Sequence, residues 1–286
     1  MTELEWQDYR RRALKPDATR LGTWTARRLG RPVALRITRI VEPLGMRAHQ
    51  ATATAALSAF AAAVLLGIGT WWSWLAAALL LHGWYLLDHV DGQLARLRRT
   101  ASLDGTMLDY AMHHSWNVLV PAACGFGLAQ ANGQLFWCAV GAVWGWGALL
   151  VGLRHDVRYK AFIQRLKLVH GELRLVGGGD GRPQPATPPA GNLRRRATWL
   201  VFKMLEQHVV VGMLTAVALA WTFLGDSGRL IAGAYIATMA LPAIAAGLGL
   251  LVRSALRQEA ENEFAAWFQP PAERSLVHRD GWWHVE

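Results

Sequence analysis

The chain has 286 residues, 53% of them hydrophobic and only 17% charged, with a formal net charge of +10. A soluble domain carries about 25% charged residues, so the deficit argues against a water-soluble globular protein and for burial in lipid. The basic balance would also suit nucleic acid, but apolar runs divide the charges into separate blocks, which argues against a continuous nucleic-acid face and for attraction to anionic lipid headgroups.

Residues 1–47 form a basic, partly amphipathic segment. Its first 30 residues are charged throughout and hold no apolar core stretch, so no signal peptide is expected there. From Pro32 to Glu42 apolar residues recur at helical spacing, with Arg36 and Arg39 between them. That pattern predicts an N-terminal amphipathic helix lying in the membrane interface. A simple stop-transfer flank reads the same way.

Four runs free of Asp, Glu, Lys and Arg follow: Ala48–Leu87 (40 residues), Tyr110–Leu153 (44), Gln207–Gly225 (19) and Leu230–Val252 (23). A spanning helix needs roughly 20 apolar residues. The first two runs are each long enough for two helices and are broken at Gly67–Trp72 and Gln130–Gln134. The reading is an all-α polytopic protein with six transmembrane helices over residues 48–253. Trp71, Trp72, Trp74 and Trp137 sit near the proposed helix ends, where interfacial aromatics gather. Cys124 and Cys138 fall inside spans and read as small packing residues. Residues 177–192, with five Gly and four Pro, predict a flexible cytoplasmic loop, and residues 254–286 form a tail of unassigned role.

The basic residues set the orientation. Twenty-nine of 30 Lys and Arg fall on one side of the six-span arrangement; Arg229 is the exception. The positive-inside rule makes that side cytoplasmic, with both termini and the active site facing it.

Ionisable residues inside spans are expensive and functional by default. Asp88 and Asp91 close the second span, and Asp109 and His113 open the third. On helices, Asp88 and Asp91 point about 60° apart and Asp109 and His113 about 40° apart. Each helix therefore presents one polar stripe, and the short stretch between them lets the stripes face. Converging carboxylates repel one another unless cations intervene, and hard oxygen ligands favour Mg²⁺ or Mn²⁺, two of which would clamp a pyrophosphate. Arg96 would add a fixed charge for phosphate. Capping aspartates plus a proton relay is the plainer reading of the same residues.

The run Asp88-His-Val-Asp-Gly-Gln-Leu-Ala-Arg96, eight residues, then Gly105-Thr-Met-Leu-Asp109, resembles the signature of the CDP-alcohol phosphotransferase family, D-x2-D-G-x2-A-R-x8-G-x3-D-x3-D. Seven of the eight fixed positions match, with every spacing intact, over 26 residues. His49-Gln-Ala-Thr52 is similar to the family's threonine-ending approach to the first span. The resemblance implies that Asp88, Asp91 and Asp109 hold metal and that Gly92, Ala95, Arg96 and Gly105 line the site for the CDP part of the donor. It also implies a homodimer. The last motif Asp, the family's expected general base, is His113 here. Three readings of it compete: a base, for which an ordinary imidazole is suited; a metal ligand; or a change that abolishes turnover.

The expected activity is transfer of a substituted phosphate, phosphatidyl above all, from a CDP-linked lipid donor such as CDP-diacylglycerol to an alcohol acceptor, with CMP released. The reverse assignment, a soluble CDP-alcohol donating to a lipid hydroxyl, carries the same signature. So would a silent member that only binds nucleotide or lipid. An ion transporter fits poorly, because no acidic path continues across the membrane. Arg154, His155 and Arg158 are candidates for a phosphate-bearing acceptor, against the alternative of positive-inside flanking charge.

Overall fold

The computed structural model describes residues 3–15, 23–176 and 192–286. It opens with α1 (Glu3–Ala13), then a π-helical turn (Ala26–Gly30) that runs directly into α2 (Arg31–Val41). The apolar runs follow as α3 (Ala48–Ile68), α4 (Trp71–Leu97), α5 (Leu103–Asn132) and α6 (Phe136–Leu166). Two short strands, β1 (Val169–His170) and β2 (Arg174–Leu175), precede α7 (Leu193–Met204), α8 (Gln207–Leu224) and α9 (Asp226–Leu256). The tail forms α10 (Glu259–Trp267), β3 (Phe268–Gln269), β4 (Leu276–Arg279) and β5 (Trp282–Val285). The Gly/Pro-rich loop expected at 177–192 lies outside the described residues except for Asn192, which caps α7 by accepting from the Arg195 amide.

The chain turns at the breaks seen in the sequence. Gly69 ends α3 with φ +74°, a left-handed conformation that a Cβ would disfavour, and Gly133 ends α5 with φ +66°. Ser102 starts α5 by accepting from the Gly105 amide at 3.1 Å. Four helices, α3, α6, α8 and α9, are long and apolar enough to cross a membrane. α4 and α5 have 27 and 30 residues, and they carry the charged motif. All six close into a ring in which α3 touches α4 and α5, α4 touches α8, α8 touches α9, α9 touches α6, and α6 touches α5.

Large side chains fill the ring: Trp74, Trp84 and Trp144 are each 1% exposed, and Trp84 stacks on Trp116 at 5.1 Å. The outer surface is apolar as well, with Phe60, Leu79, Phe223 and Leu241 all more than half exposed. An apolar exterior of this kind, on four span-length helices, is that of an integral membrane protein. Because lipid is as apolar as leucine, helix association in it relies on close packing. An ideal Cβ on Gly147 of α6 would stand 2.3 Å from the Ala243 carbonyl carbon of α9, so only glycine admits that approach.

The N-terminal elements dock on the motif helix. α2 buries Ala34, Leu35 and Thr38, and the Thr38 hydroxyl donates to the Gln93 side-chain oxygen at 2.7 Å. Arg96 Nε donates to the Ala13 carbonyl at the end of α1, at 2.6 Å. Leu29 and Ile40 remain exposed. At the other end of the chain, five strands of two to four residues supplement the helices. β5 pairs in parallel with β1 and antiparallel with β4, while β2 pairs antiparallel with β3. Strands this short carry no readable period, and the partners of β1 and β2 lie some hundred residues away.

Candidate active site

Asp88 and Asp91 stand one turn apart near the end of α4, and Asp109 and His113 one turn apart near the start of α5. The tight connection between these helices brings the two stripes face to face. His113 Nε2 lies 3.4 Å from Asp88 Oδ1 and 3.4 Å from Asp109 Oδ1. One donor atom from each of the three falls within 4.8 Å of the others. Asp91 stands beside this group, its Oδ2 accepting from the Thr52 hydroxyl of α3 at 2.7 Å. The site is thus built by three consecutive helices.

These groups line a cavity of about 510 Å³. Gly92, Ala95, Arg96 and Gly105, all expected from the motif, line it too. An ideal Cβ on Gly92 would meet Arg96 Nη1 at 3.3 Å, so the missing side chain makes room for the guanidinium. Trp84, which does not line the cavity, meets the His113 ring edge-on, with centroids 6.0 Å apart.

Arg154, His155 and Arg158 do not line this cavity. Arg154 pairs with Glu259 of α10, and Arg158 with Glu263 at 2.7 Å. The Arg158 guanidinium also reaches His155 Nδ1 at 2.9 Å. These cations clasp the C-terminal helix to α6, and Arg165 does the same through Glu261. His114, which points away from His113, pairs with Asp156 of α6.

The cavity wall holds residues that the sequence did not single out. His89 and Gln93 sit between motif positions on α4. Lys15 and Arg31 come from the N-terminal segment and gave no signal, because docking of that segment on α4 depends on the long-range bonds at Ala13 and Thr38. Gln207 of α8 touches His113 from behind; its Oε1 lies 2.7 Å from His113 Nδ1.

The donor set suits a hard divalent cation: carboxylate oxygens and one imidazole nitrogen, gathered from two helices at ion-sized separations. Residues 48–168, from the start of α3 to just past α6, match the model of a family described as CDP-alcohol phosphatidyltransferase. No curated protein is similar enough to match the chain. The matched segment contains the four residues Asp88, Asp91, Asp109 and His113 together with Thr52. Over residues 48–168 the chain is thus similar to the CDP-alcohol phosphatidyltransferase family.

Proposed function

We propose that the protein transfers a phosphatidyl group from a CDP-linked lipid, CDP-diacylglycerol being the expected donor, to an alcohol and releases CMP. The observation that carries this reading is the convergence of Asp88, Asp109 and His113, with Asp91 beside them, on one cavity near the ends of two membrane helices. Asp88, Asp91 and Asp109 would hold two Mg²⁺ or Mn²⁺ ions, with His113 in reach of the same site. Bound there, the ions would neutralise the pyrophosphate and polarise its phosphoryl oxygens.

The chain's own residues perform the rest. Arg96 offers its guanidinium to the pyrophosphate, and Gly92, Ala95 and Gly105 leave the space the CDP part fills. His113 Nε2 takes the proton of the acceptor hydroxyl. The resulting oxygen attacks the phosphorus bonded to the lipid alcohol. The bond from that phosphorus to the bridging pyrophosphate oxygen breaks, and CMP leaves with the bridging oxygen and its electron pair. The site sits at the helix ends that carry most of the basic residues, so the headgroup would enter from the cytoplasmic interface while the acyl chains lie between α helices of the six-span ring. The segment 1–47 serves as an interfacial support for α4, residues 48–253 as the catalytic domain, and 254–286 as a cytoplasmic tail clasped to α6. The family resemblance favours a homodimer.

Purified protein supplied with CDP-diacylglycerol, Mg²⁺ or Mn²⁺ and a panel of alcohols tests the reading. Metal-dependent CMP release with one class of alcohol is expected, and chelation should abolish it. A soluble CDP-alcohol that supports release with a lipid acceptor would reverse donor and acceptor. No CMP release from any CDP-linked donor would contradict the enzyme reading.

A further inference from the structure

Gln207 is the first residue of α8, 94 positions beyond His113 and outside the family-matched segment. Its amide nitrogen donates to the His113 carbonyl oxygen at 3.2 Å and to Asn117 Oδ1 at 2.9 Å. A backbone carbonyl can only accept, so the orientation of the Gln207 amide is fixed. Its Oε1 must face the imidazole, where it lies 2.7 Å from Nδ1. That distance also fixes the ring: turned over, the ring would place a carbon where Nδ1 stands, and a carbon keeps roughly 3.3 Å or more from an oxygen. The Gln207 oxygen accepts and cannot donate, so Nδ1 carries a proton. In the neutral ring only one nitrogen is protonated, and Nε2 is left with its lone pair. Nε2 is the atom that stands 3.4 Å from both Asp88 and Asp109.

We propose that Gln207 is a positioning residue that locks His113 in the Nδ1-protonated tautomer and aims the bare Nε2 into the reaction site. This rests on the reading of His113 as the base. It explains how a histidine can stand where the family signature has a carboxylate. Either oxygen of a carboxylate can take a proton, whereas an imidazole works only when the correct nitrogen is free. The orienting group is itself oriented: Asn117, one turn after His113 on α5, holds the Gln207 amide nitrogen. Trp84 limits the ring edge-on from another side. Gln207 does not line the cavity, so its loss acts through the ring and not through substrate contacts. The bond also ties α8, an element outside the matched segment, to the motif helix α5.

The test is ¹⁵N NMR of protein labelled at histidine, with neither metal nor substrate added and the imidazole neutral. The His113 signals are assigned by their disappearance in His113→Asn. A pyrrole-like Nδ1 and a pyridine-like Nε2 are expected in the unmutated protein. Gln207→Leu should give averaged signals from two tautomers and a kcat about 10- to 100-fold lower, with KM little changed. Gln207→Glu keeps an acceptor against Nδ1 and should restore the original ¹⁵N pattern. Asn117→Leu frees the Gln207 amide without touching the ring, and should show the same loss in weaker form even if Gln207→Leu does not fold. An unmutated protein protonated at Nε2, or a Gln207→Leu protein with the original pattern, would overturn the proposal. The failure of the base reading is distinct: it appears as full turnover in His113→Ala, whatever the ¹⁵N spectrum.

Discussion

Thr38→Val removes one hydroxyl from the contact between α2 and α4 and leaves its shape almost unchanged. Thr38 is fully buried, Gln93 is 1% exposed, and their bond is 2.7 Å long. Without the hydroxyl, the Gln93 side-chain oxygen has lost its water and its partner together. Such an orphaned acceptor costs about 1–3 kcal/mol. At a factor of ten for each 1.4 kcal/mol, that is roughly a five- to 150-fold shift toward the unfolded state. Thr38→Val combined with Gln93→Leu replaces both partners by apolar groups and should recover part of the loss, because removing both ends of a buried bond is far milder than removing one. Equilibrium unfolding in mixed detergent micelles, followed by the helix signal, measures these two variants and Gln93→Leu alone as a double-mutant cycle. A coupling of about 0.5 kcal/mol or more between the two positions is expected. A Thr38→Val protein within about 0.3 kcal/mol of the original, with additive effects in the double variant, would refute the claim that this bond secures the N-terminal segment to the motif helix.

Gly147→Leu should destabilise the ring by about 1–3 kcal/mol or prevent folding, since the first added carbon already collides with the α9 backbone; thermal unfolding in detergent checks it. Paired hydrogen bonds from Arg165 hold the Glu261 carboxyl below the usual glutamate range. A lowered folded-state pKa means the stabilisation is present at neutral pH and is lost as pH falls through that lowered value. Glu261→Gln should therefore speed amide exchange in α10 at pH 7, after correction for intrinsic rates, while the difference from the original protein vanishes near the acid limit. The effect should be small and weakened by salt, because Glu261 is half exposed. His113→Ala should lower turnover by about 10²–10⁴-fold at saturating metal, the range for a lost general base. Near-full activity in a steady-state CMP assay would remove that role.

Local chemistry made much of this molecule readable. The breaks at Gly67–Trp72 and Gln130–Gln134 are where α3 and α5 end, because left-handed glycines and capping side chains act within a few residues. The motif reads equally well, since helical periodicity alone brings Asp88 with Asp91 and Asp109 with His113 to one face. What stayed hidden depends on distant partners. Arg154 and Arg158 looked free to bind an acceptor, but Glu259 and Glu263, about a hundred residues later, take them. Nothing near Lys15 or Arg31 announces that α1 and α2 fold back onto α4 and bring both to the cavity. Gln207 marked only the start of an apolar run, and its amide gains meaning only when α8 closes the ring behind His113. The two helices that carry the motif charges, α4 and α5, are not among the four that are long and apolar enough to cross a membrane.

The proposed reaction is a displacement at the phosphorus that carries the lipid. CDP-diacylglycerol labelled only at that phosphorus, incubated with the protein, metal and an acceptor alcohol, tests it most directly. All of the transferred label should appear in a new lipid phosphodiester, and the CMP formed should be unlabelled. Label released in a soluble phosphate, or CMP carrying it, would rule out displacement at that phosphorus.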